Sequence, residues 1–233
     1  MNKERLPSVA WLALVGGLLF SSGCGAGAEV AESPAAALQP SEMALPTPRL
    51  TGETSLEEAL ATRRSVREFT DQKLTWDEVS QLLWSAQGTT DPRGLRTAPS
   101  AGALYPLEVF AVLPDGFYHY LATQHTVERM SEGDLREDLW QAGLQQNALR
   151  QAPAVFVIAA VYERTEAKYG ERAERYVEME AGHAAQNLLL QAVALDLGAV
   201  PIGAFDDDQV GTALGLPEDH RPLYLIPVGH PQE

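Results

Sequence analysis

From Gly170 to Leu197 the chain runs without a proline. Its positions Val177, Ala181, Ala184, Leu188 and Leu195 step by three and four, and Gln191 is the one polar member of the row. That period predicts a single long helix with one face on a core. A second constraint is Ala154–Tyr162, a continuous apolar run rich in Val and Ile, which predicts a buried strand. Any fold must house both.

Shorter signals fill in the remainder. Ser55 with Glu58, and Thr75 with Glu78, have capping-box spacing and open two helices, the first ending near Arg63 and the second stopped by Gly88. Leu107–Leu113 and Phe117–Leu121 flank Pro114-Asp115-Gly116 and predict a hairpin. Asp134–Gln145 reads as a helix, Ala199–Ala204 as a short strand, Asp206–Leu214 as a helix capped by Asp206, and Leu223–Val228 as a last strand. Gly88–Tyr105, Gln124–Arg136 and Glu163–Tyr169 carry no period and read as loops. Strands and helices are mixed without regular alternation. The expected class is α+β, a mostly antiparallel sheet flanked by helices.

The N-terminus reads as an address. A short basic stretch, an apolar run from Leu6 to Phe20 and then Ser21-Ser22-Gly23-Cys24 have the layout of a bacterial lipoprotein signal, with a lipid expected on Cys24. An uncleaved anchor or a plain secretory signal has a similar layout. Residues 25–53, rich in Ala, Pro, Ser and Glu, read as a flexible tether, and residues 54–233 as one domain. The expected location is therefore the cell envelope, membrane-anchored and exported. Cys24 is the only cysteine, so the domain has no disulfide, cysteine–zinc site or cysteine nucleophile. With a formal net charge of −15, the chain is repelled by phosphate backbones, and a nucleic-acid partner is disfavoured.

In so acidic a chain a tight basic cluster is informative. Arg63-Arg64-Ser65-Val66-Arg67 is the densest, and guanidinium forks with a serine hydroxyl suit phosphate oxygens, although arginines also pair with surface carboxylates. Pro99-Ser100-Ala101-Gly102 lies in a loop of small residues that lets backbone approach a flat ligand closely, or is simply a loop. Gln186 and Asn187, with His183, are polar residues of the long helix that would read a ligand edge or satisfy each other in the core. Ile202-Gly203 and Gly229-His230 end apolar strands, and His230 would add charge to a phosphate pocket or stay a surface histidine. The five histidines show no metal-ligand spacing, so no metal is expected, and GxGxxG, Walker and GxSxG signatures are absent.

Taken in order, RRSVREF, RTAPSAGALYPLEVF, KYGERAERYVEMEAGHAAQN, GAVPIGAFDDD and PVGHP resemble the flavin-dependent nitroreductase family, and within it the SagB-type azoline dehydrogenases, the thiazole/oxazole-forming oxidase branch. The resemblance spans Ser55 to Pro231. It implies an FMN-binding α+β sandwich that forms a homodimer with FMN at the subunit interface. It implies that Arg63, Ser65 and Arg67, with Arg64 alongside, hold the FMN phosphate. Pro99, Ser100, Ala101 and Gly102 would line the ring and ribityl chain, and Gln186 and Asn187 would face the flavin. Ile202 and Gly203 would offer backbone groups to the ring edge, while Gly229 and His230 close on the phosphate. Lys168-Tyr169 matches the branch's proton-transfer pair. The implied activity is oxidation of a small organic or peptide-derived substrate by hydride transfer to FMN. An NAD(P)H-dependent nitro or quinone reductase, or a flavin-binding protein without turnover, are the alternatives. Export favours substrate oxidation, because nicotinamide reductant is scarce outside the cytoplasm.

Overall fold

The computed structural model describes residues 42–232. The signal-like segment, Cys24 and the tether up to residue 41 lie outside the described residues. Strands β1 (Glu42–Ala44), β2 (Leu107–Leu113), β3 (Gly116–Leu121), β4 (Thr126–Glu132), β5 (Ala154–Ala160), β6 (Gly198–Ala199) and β7 (Arg221–Gly229) make one seven-stranded sheet in the order β1-β4-β3-β2-β5-β7-β6. All six ladders between them are antiparallel. The helices are α1 (Leu56–Thr62), α2 (Trp76–Gln87), α3 (Arg136–Ala142), α4 (Asn147–Gln151), α5 (Glu163–Tyr169), α6 (Ala173–Ala194) and α7 (Asp207–Leu214).

The apolar run in β5 explains the layering. Side chains alternate across a strand, so Ala154, Phe156, Ile158 and Ala160 join α2 and α6 on one face, while Val155, Val157 and Ala159 join α3, α4 and α7 on the other. A strand covered on both sides has no polar face, and every residue of β5 is buried. The fold is the expected α+β sandwich, and the stepped stripe of α6 lies on the first of its two cores. No helix among the described residues is long and apolar enough to cross a membrane.

Local chemistry sets the helix ends. The Thr75 hydroxyl accepts the Glu78 amide at 3.3 Å while the Glu78 carboxylate accepts the Thr75 amide at 2.7 Å, closing the full box at the start of α2. At α1 only half of that device forms: Ser55 accepts the Glu58 amide at 3.1 Å.

Several expectations are corrected. Thr126–Glu132 is strand β4 rather than loop; only Val127 of it is buried, so a largely polar strand gave no apolar alternation to read. Glu163–Tyr169 is helix α5, with no side-chain cap to announce it. The helix read over Asp134–Gln145 breaks at Ala142, because Leu144 and Gln145 take φ of 55° and 57°. Pro201 lacks an amide, and the strand read over Ala199–Ala204 shrinks to β6 plus a bridge at Ile202. Residues 42–53, assigned to the tether, include β1 on the edge of β4, a buried Leu45, and Arg49, whose amide donates to Gln81 Oε1 at 2.8 Å.

Candidate functional site

The arginine segment leaves α1 in extended conformation and is laid against the free side of β6 and the end of β7. Ser65 bridges Ala199, the Val66 amide donates to the Ala199 carbonyl at 3.0 Å, and the Thr70 amide donates to the His230 carbonyl at 2.9 Å. Glycines make the close approach possible. A Cβ on Gly198 would lie 2.7 Å from the Val66 side chain, and one on Gly229 would meet Pro153 at 2.4 Å and Phe69 at 3.0 Å. Gly198→Ala is therefore expected to destabilise the fold by about 1–3 kcal/mol through overpacking, read as a lower denaturation midpoint.

Val66 is turned onto Gly198, and along an extended segment its neighbours Ser65 and Arg67 would face the opposite side. Arg64 Nη1 donates to the carbonyls of Ala61 at 3.0 Å and Arg63 at 2.7 Å, tying off the end of α1. Among the described residues none of Arg63, Arg64 and Arg67 pairs with a carboxylate. In a chain with 32 acidic against 17 basic residues, that leaves Arg63 and Arg67 without an ion-paired acid, a setting that suits a bound anion. Arg67 and Ile202 line one cavity of about 1050 Å³. Ile202 has both backbone groups committed to Leu225, at 2.8 and 3.0 Å, so the exposed Gly203 is the one left to offer an amide. His230 is half-buried with Nε2 3.8 Å from Glu78 Oε1, facing that carboxylate.

A second group forms along α6. Asn187 Nδ2 donates to the Thr97 carbonyl at 3.3 Å, fixing the start of the small-residue loop, whereas Gln186 and His183 are exposed. Further on, Gly102, Ala103 and Tyr105 take φ of 64°, 55° and 46°. For Ala and Tyr the left-handed region is costly and has to be held by the surroundings. The Ser100 hydroxyl accepts the Tyr105 amide at 2.9 Å, Arg164 Nη1 donates to the Tyr105 carbonyl at 3.2 Å, and the Arg96 guanidinium lies 4.6 Å over the Tyr105 ring. Arg164 is itself anchored to Glu108 at 2.5 Å, which braces α5 against β2.

That brace brings Lys168 and Tyr169 to the loop. Lys168 Nζ and Tyr169 OH each lie 2.9 Å from where a Cβ on Gly102 would stand, and among the described residues Lys168 forms no ion pair. The expected proton-transfer pair and the expected ring-lining loop thus meet at one glycine.

Behind the loop stands a residue that the sequence reading passed over. Glu180 on α6 is 2% exposed, and Gln87 Nε2 donates to its Oε1 at 3.4 Å. Arg96 Nη1 in turn donates to Gln87 Oε1 at 3.2 Å. Burial pushes the Glu180 carboxyl up to about 7, against the pull of Ser100, Gln87 and Arg96. One signal was available: Glu180 interrupts the apolar stripe between Val177 and Ala184.

Within one chain the two groups stay apart. Lys168 and Tyr169, which meet the loop at Gly102, precede the start of α6, whereas Ser65 sits beside β6, beyond its far end, and the helix from Ala173 to Ala194 is about 33 Å long. No cluster of three or more metal-ligating side chains occurs among the described residues.

Known proteins share this fold. The nitroreductase-like protein MJ1384 of Methanocaldococcus jannaschii is 45% identical over 183 residues, covering 76% of this chain and 91% of that protein. The microcin B17-processing protein McbC of Escherichia coli is 27% identical over 157 residues, covering 62% of this chain and 57% of McbC. A solved structure of a nitroreductase-like protein from Ralstonia eutropha JMP134 superposes with a TM-score of 0.75 at 30% identity, covering 82% of this chain and 90% of that one. The nitroreductase family model matches residues 60–230, a span that holds both the arginine cradle and the small-residue loop, and the chain belongs to that family.

Proposed function

We propose that the protein is an FMN-dependent oxidoreductase that dehydrogenates a small organic or peptide-derived substrate. The observation that carries this reading is the cradle of Arg63, Ser65 and Arg67, left without acidic partners in a strongly acidic chain. These residues would hold the FMN phosphate, and Gly203 would offer its amide to the ring edge. FMN, when bound, supplies the hydride acceptor.

The separation between cradle and loop supports a shared site. A homodimer would set the cradle of one protomer against the small-residue loop of its partner, with FMN between them. Lys168 Nζ would then take or deliver the proton at the substrate, and the Tyr169 hydroxyl would hold it in place. Likeness to McbC, a protein named for processing microcin B17, supports the azoline dehydrogenase branch.

In the purified yellow protein, Lys168→Met and Tyr169→Phe are expected to lower turnover by about 10²–10⁴-fold, the usual contribution of a positioned acid or base, with FMN content unchanged. Turnover within twofold of wild type would remove the pair from the mechanism. Family membership is equally consistent with a nitro or quinone reductase driven by NAD(P)H. Anaerobic mixing with NADPH separates the two readings. Slow bleaching of the flavin is expected, and fast bleaching would replace dehydrogenation by reduction. The signal-like N-terminus, with a lipid on Cys24, supports an envelope location, which mass spectrometry of the mature N-terminus tests.

A further inference from the structure

Helix α5 carries Lys168 and Tyr169, yet little of its own sequence holds it in place. It is seven residues long, has no side-chain cap and buries only Thr165. A helix that short is marginal by itself. Its C-terminal end turns a corner at Gly170, where φ is 52°, and Tyr169 there meets Tyr176 of α6 edge-on at 5.2 Å. At the other end one side chain does the fastening. Among the described residues, Arg164 is the α5 side chain that bonds to another element: Nη2 reaches Glu108 Oε1 on β2 at 2.5 Å, and Nη1 donates to the Tyr105 carbonyl at 3.2 Å. Glu108 is held in its turn. Its Oε2 lies 2.7 Å from His119 Nε2 on β3, and the His119 ring is stacked on Phe110 at 4.6 Å.

We propose that Arg164, backed by Glu108 and His119, is the positioning residue of the Lys168–Tyr169 pair. Its fork sets the height of α5 over the small-residue loop, and with it the reach of Lys168 Nζ toward a substrate. This rests on the reading of Lys168 and Tyr169 as the proton-transfer pair. Arg164 and Lys168 are four residues apart and share a face of α5, so the helix touches the loop twice: Arg164 at Tyr105, Lys168 at Gly102. The arrangement differs from an ordinary surface ion pair in two ways. The Glu108 side chain is only 14% exposed, which shields the pair from screening. The second arm of the fork takes the carbonyl of a tyrosine held at φ 46°, so one planar guanidinium registers helix and loop together. The loop keeps two other ties, the Tyr105 amide on Ser100 and Arg96 over the Tyr105 ring. Losing Arg164 therefore frees the helix rather than the loop.

Arg164→Met keeps most of the stem and removes the fork. In the yellow protein it is expected to lower kcat by about 10²-fold, the cost of a misplaced reacting group, while KM and FMN content stay within about threefold of wild type. In a Lys168→Met background the same change is expected to cost less than about twofold, because a residue that acts through Lys168 then has nothing left to place. A general loss of folded structure would lower both backgrounds alike. Hydrogen exchange read by mass spectrometry reports the placement with or without flavin. In Arg164→Met the amides of residues 166–169 should exchange about tenfold faster or more, and those of the β2–β5 ladder at the wild-type rate. Turnover of Arg164→Met within about twofold of wild type, equal losses in the two backgrounds, or unaltered exchange in α5 would each overturn this inference alone. Full turnover in Lys168→Met itself would overturn it together with the proposed proton-transfer pair.

Discussion

Replacing Arg63 and Arg67 together by alanine is expected to weaken FMN binding by about 10²–10⁴-fold, since each charge-assisted bond to a phosphate is worth roughly 1.5–3 kcal/mol. The folded state should be almost unaffected. Arg67 is exposed, Arg63 half-buried, and among the described residues neither pairs with an acid, so their removal strands no partner. Arg64→Ala is the internal control. Its guanidinium is committed to the carbonyls of Ala61 and Arg63, and its loss should change affinity by less than about threefold while shortening α1 slightly. Titration of apo-protein with FMN, followed by flavin fluorescence at two salt concentrations, measures all three. Wild-type affinity should fall with salt, and the double variant should have lost most of that dependence. Equal affinity in wild type and double variant would mean that the cradle holds some other anion, or none.

Folding stability should carry the imprint of Glu180. In the unfolded chain its carboxyl releases a proton near the ordinary 4.5, whereas in the folded protein burial holds the proton to about 7. Between those values the folded state binds more protons than the unfolded one. Its stability must therefore decline as pH rises through that window and level off above it. At 1.36 kcal/mol per unit, the decline attributable to this residue is about 3 kcal/mol. Glu180→Gln keeps the shape and cannot titrate, so the difference in unfolding free energy between variant and wild type should grow by about that amount from pH 4.5 to pH 8. Glu108 does not confuse the comparison. Burial raises it, but bonds from His119 and Arg164 outweigh burial and leave it lowered, so it titrates at more acid pH and in both proteins. Urea denaturation at a series of pH values reads the result, and parallel curves would show that folding leaves the Glu180 carboxyl unshifted.

The parts of this protein that could be read in the sequence are those whose causes are local. Thr75 and Glu78 sit three residues apart and close a box on each other; the Val- and Ile-rich run of β5 needs only its own side chains to announce burial; the arginines of residues 63–67 are neighbours in the chain. What escaped is held from a distance. Helix α5 has no cap of its own and is pinned by Arg164 to Glu108, 56 positions earlier by their numbers. The Gln87–Glu180 bond closes across 93 positions, and no local pattern marks both ends. Strand β4 takes its place from pairing with β3 and β1 rather than from its own largely polar sequence. The candidate site divides in the same way: the arginine cluster is visible in the chain as neighbours, whereas the carboxyl behind the loop needed separate segments to be brought side by side.

β1 acts as a hem. It covers the outer margin of β4, and the stretch behind it is stitched down where Ser80 Oγ and His125 Nε2 meet the Pro46 carbonyl at 2.6 and 2.9 Å. A shortened chain starting at residue 60, where the family match begins, would unpick that hem and leave a row of unpaired amides and carbonyls along β4. Such a chain should keep its arginine segment yet become sticky, adding neighbours strand to strand, and laboratories that trim it for crystals would do well to start no later than Glu42.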